Sequence, residues 1–286
     1  MMTPGLWGTG TAVCWGTADF VARFSGRAVG HYSSLLGMLG VGSLLLTGWM
    51  LLEQPAVTWT FDAILLAVLA GISLMAATLW LYQGVARGPI SIVEPVVCSY
   101  PILTVLLTII DGHVPGLIQF LFMAVTMAGV IVVARSTGSH IDGGHDAKLL
   151  RGTILISILS AIAFGVGVYL SQRALPLLGD LPTLWSSRLV SLASLIVLML
   201  FAGERPALPL KWWPALASQG LLDTAGYAAL YQADYGEGSG VAAVAASSYG
   251  ALSTLLAWII LRERVNAVQW IGIALVFAGV AGLSAG

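Results

Sequence analysis

The chain has 286 residues, 58% of them hydrophobic and only 9% charged, with a formal net charge of −1. A soluble domain carries roughly 25% charged residues, so this composition argues against a water-soluble protein and for lipid as the solvent. The balanced charge leaves no basic tract for nucleic acid. Cys14 and Cys98 both fall inside apolar runs, where they read as packing residues rather than a disulfide or metal pair.

Crossing about 30 Å of hydrocarbon takes about 20 apolar residues of helix. Charges, glycines and prolines punctuate the chain into ten predicted spans, at 6–24, 31–52, 61–86, 90–110, 116–134, 151–175, 182–202, 212–233, 239–261 and 267–284. Met1 to Gly5 carry no positive charge, so the first span reads as a retained helix and not a cleaved signal. Only Arg87-Gly88-Pro89 separates the third span from the fourth, which predicts a tight hairpin; its later counterpart is Asp234 to Gly238. Pro95 and Pro101 both fall in the fourth span and predict a kinked or broken helix there. One long polar stretch, Arg135 to Lys148, reads as a linker, dividing the chain into 1–134, 135–149 and 150–286. It contains His140 and His145 with Asp142 and Asp146, but their spacing in a Gly-rich loop is poor for a metal, and no metal or other cofactor is expected.

The loops after spans 1, 3, 5, 7 and 9 hold Arg23, Arg27, Arg87, Arg135, Lys148, Arg151, Arg205, Lys211, Arg262 and Arg264, whereas the opposite side holds only Arg173. The positive-inside rule places the richer side in the cytoplasm. Both termini are then extracytoplasmic, in a multi-pass protein of a bacterial inner membrane.

The two halves repeat one another at an offset of 149 residues. Leu81-Tyr82-Gln83 returns as Leu230-Tyr231-Gln232, Ser99-Tyr100 as Ser248-Tyr249, and Trp15-Gly16 as Phe164-Gly165. Five spans per half is an odd number, so the second half enters the membrane in the opposite sense. The expected fold is an all-α integral membrane protein with ten transmembrane helices in two inverted five-helix repeats, an architecture suited to transport.

Further motifs are Ser99-Tyr100-Pro101-Ile102-Leu103-Thr104-Val105-Leu106-Leu107 late in the fourth span and Ser253-Thr254-Leu255-Leu256-Ala257-Trp258 in the ninth. Arg262-Glu263-Arg264 and Gln269-Trp270-Ile271-Gly272 follow. With the Leu-Tyr-Gln hairpins, they resemble the EamA-like branch of the drug/metabolite transporter superfamily over essentially the whole chain. The resemblance implies a central cavity lined from both halves and transport of small metabolites such as amino acids, often as export. There are departures: Gly250 stands where the first half has Pro101, Glu263 has no counterpart beside Asp111-Gly112-His113, and Arg188 corresponds to Leu39.

Glu94, just before Pro95, is the sharpest candidate for chemistry, since a carboxylate at membrane depth is tolerated when it is protonated, paired or facing a cavity. The alternative is a solvated position near the headgroups. Asp223, Tyr227 and Tyr231 fall at i, i+4 and i+8, one helical face that would line a polar cavity. Arg188 at membrane depth needs a carboxylate partner, for which Asp19, Glu94 and Asp223 all qualify; it serves either a structural ion pair or a clamp for a substrate carboxylate. Asp19, Glu94 and Asp223 are thus the candidates for proton coupling or ion pairing. Aromatic candidates for substrate contact are Trp80, Tyr82, Tyr100, Tyr169, Trp185 and Tyr249; for each, packing is the competing reading.

The function expected is a secondary transporter of a small metabolite, an amino acid, an amine or similar, working by alternating access as an exporter, with proton coupling an open element. Proton-coupled uptake of a cationic or amphipathic metabolite is the rival within transport. A membrane enzyme or lipid-handling protein is the rival of another class, and no catalytic motif supports it. The expected partners are a small-molecule substrate and membrane lipid, and neither substrate identity nor a monomeric or dimeric state follows from these residues.

Overall fold

A computed structural model describes residues 4–108, 116–136, 144–233, 248–263 and 265–285. Asp111 to His113, His140, Asp142, the Asp234 to Gly238 hairpin, the first part of the ninth predicted span and Arg264 lie outside the described residues, as do the side chains of His145, Asp146 and Tyr231.

The described residues are helical, with no strand among them. In chain order the helices are α1 (Pro4–Val29), α2 (His31–Glu53), α3 (Phe61–Arg87), α4 (Ile90–Val97), α5 (Pro101–Thr108), α6 (Leu117–Ser136), α7 (Gly144–Leu178), α8 (Asp180–Ala202), α9 (Trp213–Ala233), α10 (Tyr249–Ile260) and α11 (Ala267–Ala285). Four of them, α2, α3, α7 from Lys148 onward and α8, are long and apolar enough to cross a membrane. Large apolar side chains stand outward: Leu52 is 86% and Phe201 88% exposed, a surface that suits lipid and would be costly in water. Single residues suffice to turn α1 into α2 and α7 into α8, because Gly30 and Gly179 adopt φ of 84° and 82°, a region open to glycine. These two glycines are themselves 149 residues apart.

The fourth predicted span is two helices. Pro101 has no N–H to offer the Val97 carbonyl, so the α-helical ladder stops; the Tyr100 amide takes that carbonyl at 3.0 Å and the Ser99 amide takes Val96 at 3.2 Å, both in three-residue steps. Pro101 then opens α5 at the position where a missing amide is harmless. α7 differs from expectation at its start: it begins at Gly144, inside the stretch read as linker, because Ala147 to Leu150 are good helix formers and extend it.

Small residues bring helices together, and their contacts come in reciprocal sets at the repeat offset. A Cβ on Gly71 would meet the Ser187 carbonyl at 2.6 Å and Val190 Cβ at 2.7 Å; one on Gly220 would meet the Met38 carbonyl at 2.8 Å and Val41 Cβ at 2.6 Å. Each residue in the first set is 149 positions from one in the second. Hydrogen bonds repeat the pattern. Thr11 Oγ1 donates to the Gly226 carbonyl at 3.1 Å and Ser160 Oγ to the Ala77 carbonyl at 2.7 Å; Ser253 Oγ donates to Gly16 at 3.0 Å and Thr104 Oγ1 to Gly165 at 3.2 Å. The contacts that hold α1 against α9 and α10 are thus the counterparts of those that hold α7 against α3 and α5.

Candidate functional site

Between these contacts lies a cavity of about 150 Å³, lined by residues of α1, α2, α3, α7, α8, α9 and α10 and by Tyr100 in the turn before α5. Its lining includes corresponding positions that have diverged. Asp19, Arg188 and Asp223 line it, and so do the residues 149 positions away from each, Val168, Leu39 and Leu74. One set of positions is charged and the other aliphatic. The aromatic positions are kept in both halves: Trp15 with Phe164, and Tyr100 with Tyr249.

Asp223 is the carboxylate that pairs with Arg188: Arg188 Nη2 donates to Asp223 Oδ2, with the side chains only 8% and 17% exposed. The guanidinium makes two further contacts. Nη1 reaches Met38 Sδ at 3.5 Å, and Cζ lies 5.4 Å from the centroid of the Tyr227 ring, a cation–π distance. Trp15 braces this group from α1: its Nε1 donates to the Asp223 carbonyl at 3.3 Å, and its ring meets Tyr227 and Tyr249 edge to face at 4.8 and 5.8 Å.

Asp19 lines the same cavity but has no hydrogen bond or ion pair among the described residues. It lies within electrostatic reach of both Asp223 and Glu94. Glu94 is fully buried in α4, behind the cavity wall, and neither carboxylate oxygen finds a hydrogen-bond partner among the described residues.

At one end the cavity is closed by polar layers. Along α1, α2, α3 and α9 the residues just past the cavity are Ser25, Ser34, Tyr82 and Gln219, and they bond to one another: Ser25 Oγ to Ser34 Oγ at 2.6 Å, Ser25 Oγ to Gln219 Oε1 at 3.0 Å, and Gln219 Nε2 to Tyr82 Oη at 3.1 Å. Beside this network Arg23 pairs with Glu263 at 3.3 Å and donates to the Val85 and Gly88 carbonyls. Glu263 in turn caps α4, accepting from the Ile90 and Ser91 amides at 3.1 Å each and from Ser91 Oγ at 2.9 Å. One carboxylate thereby ties together α1, α4 and the end of α10.

Of the residues singled out in the sequence, Asp19, Tyr100, Arg188, Asp223, Tyr227 and Tyr249 meet at the cavity. Four others stand off its wall. Tyr82 belongs to the closing network; the Tyr169 hydroxyl accepts from Arg173 at 3.3 Å; Trp185 Nε1 donates to Thr47 Oγ1 at 3.0 Å; Trp80 is half-buried elsewhere on α3. Glu94 lies behind the wall and the Tyr231 side chain is outside the described residues. Sequence reasoning gave no role to Gln219, Glu263 or the serines Ser187 and Ser191, which also line the cavity. Gln219 carried a signal, being an amide wholly buried in an apolar helix.

A model of the EamA-like transporter family matches this chain twice, over residues 2–135 and 151–285. The chain belongs to the EamA-like transporter family. Its four long apolar helices agree with a multi-pass membrane protein. It is similar to the uncharacterized transporter sll1319 of Synechocystis sp., with 26% identity over 207 residues, 70% of this chain. The chain spans 60% of that protein's length. A solved crystal structure superposes with a TM-score of 0.66 over 98% of this chain and 95% of its own at 18% identity, a likeness of fold.

Proposed function

We propose that this EamA-like protein is a secondary transporter that exports a small metabolite across a bacterial inner membrane by alternating access. In this reading ten helices form two inverted five-helix repeats, 1–134 and 150–286, joined by the linker 135–149. The observation that carries it is the reciprocity of the contacts: Gly71 on Ser187 and Val190 mirrors Gly220 on Met38 and Val41 around one central cavity. Such exchange of partners is what two antiparallel copies related by an in-plane two-fold axis would produce, and it allows the halves to rock about the site between them.

The closed end carries Arg23 and the α3–α4 turn with Arg87, on the Lys/Arg-rich side. The positive-inside rule makes that side cytoplasmic, with both termini outside, so the conformation described is closed to the cytoplasm. Opening inward requires the Arg23–Glu263 pair and the Ser25–Ser34–Gln219–Tyr82 network to part. Substrate contact is assigned to Tyr100, Tyr227 and Tyr249, with Arg188 held by Asp223 and Asp19 left without a partner among the described residues, and proton coupling to Glu94 or Asp19. Trp80, Tyr82, Tyr169 and Trp185 frame the helices.

The test is exchange transport in proteoliposomes, with amino acids and amines screened first by thermal shift. Cysteines placed at Ser34 and at Gln172 report access from the two sides. Substrate should raise labelling at Ser34 while lowering it at Gln172, and labelling that moves in the same sense at both would refute alternating access.

A further inference from the structure

We propose that the cavity takes a small organic cation carrying an apolar ring or chain, and rejects the same molecule once it bears a carboxylate. The inference rests on the transport reading for the cavity's purpose but concerns what the cavity binds.

Three formal charges line the cavity among the described residues: Asp19, Arg188 and Asp223. Arg188 and Asp223 neutralise each other, and the guanidinium also meets Met38 Sδ through Nη1 at 3.5 Å and the Tyr227 ring at 5.4 Å. A substrate carboxylate would have to compete with Asp223 for the charge of Arg188. Asp19 is the carboxyl left without a cation among the described residues, and one brought with the ligand would stabilise its ionised form.

The walls fit the rest of such a molecule. Trp15, Tyr100, Phe164 and Tyr249 supply aromatic surfaces that attract cations. Leu39, Leu74 and Val168, at the positions corresponding to the three charges, supply aliphatic lining for the apolar body. A volume of about 150 Å³ is that of an apolar protein cavity able to hold a benzene-sized ligand.

Three probes share one ring and differ only in charge: phenethylamine, phenylalanine and 3-phenylpropanoate. Calorimetric titration of the purified full chain in detergent should rank them in that order, the amine binding at least about tenfold tighter than the amino acid and the acid giving no heat. Asp19→Asn should weaken the amine about ten- to a hundredfold, the span of a charge-assisted contact, with Asp19→Glu restoring part of it. If the variants do not fold, the wild-type ranking decides alone. Amino acid or acid binding as tightly as the amine, no binding of the amine, or an unchanged affinity in folded Asp19→Asn would each overturn the proposal. Counterflow of the same probes is read separately. An amine that binds but is not exchanged upholds the cation site and refutes the transport reading, whereas exchange of phenylalanine without the amine does the reverse.

Discussion

Replacing either partner of the Arg188–Asp223 pair leaves a single charge in an apolar enclosure. Removing one partner of a fully buried pair costs about 3–5 kcal/mol. Asp223 is 17% exposed to the cavity, where water softens that cost, so Asp223→Leu or Arg188→Leu should destabilise by about 2–4 kcal/mol. The positions 149 residues away are Leu74 and Leu39, so the double variant uses side chains that already line the same cavity. With both charges gone, no unpaired ion remains, and the loss should fall to within about 1.5 kcal/mol of wild type. The coupling energy from the four unfolding free energies, measured by reversible denaturant unfolding in detergent, should then be about 2 kcal/mol or more. Additive single effects would refute the pairing as the organising contact of this wall. The double variant should still lose exchange activity, since Tyr227 and Met38 would no longer be positioned by the guanidinium.

Gly71→Ala should cost about 1–3 kcal/mol by forcing α3 off α8, whereas Gly48→Ala, with nothing within 4 Å, should be neutral or slightly stabilising; equal effects would refute the close approach. Glu263→Ala removes the partner of Arg23 and the cap on α4 together, and should lower stability by about 1–3 kcal/mol and speed labelling of Ser34→Cys from the side that carries Arg23; unchanged labelling would remove Glu263 from the closure. Glu94→Gln should leave the protein folded and remove the pH dependence of transport, and a variant with wild-type pH dependence would take proton coupling away from Glu94. Pro101→Ala should let the Val97 carbonyl regain an amide, straighten the break at Ser99 and Tyr100, and slow exchange without lowering stability, which flux and melting measured side by side will check.

The legible part of this protein was local. Runs of apolar residues and their punctuation require no partner to be recognised, so the lipid solvent, the long helices and the duplication followed from the chain alone. The break after Val97 was legible too, because proline removes a specific amide wherever it stands. The mismatches between repeats, Arg188 against Leu39 and Asp223 against Leu74, pointed to residues that the fold does gather at one cavity. Tertiary structure alone decided which carboxylate meets Arg188. Asp19, Glu94 and Asp223 all occupy apolar helices, and their order in sequence says nothing about how α1, α4 and α9 are rotated and crossed. The same rotations turned Tyr82 into a closing network with Gln219 and Trp185 onto Thr47, while Tyr100 and Tyr249 kept the cavity. A charge at membrane depth can be recognised from one helix, but its partner is chosen by the packing of several.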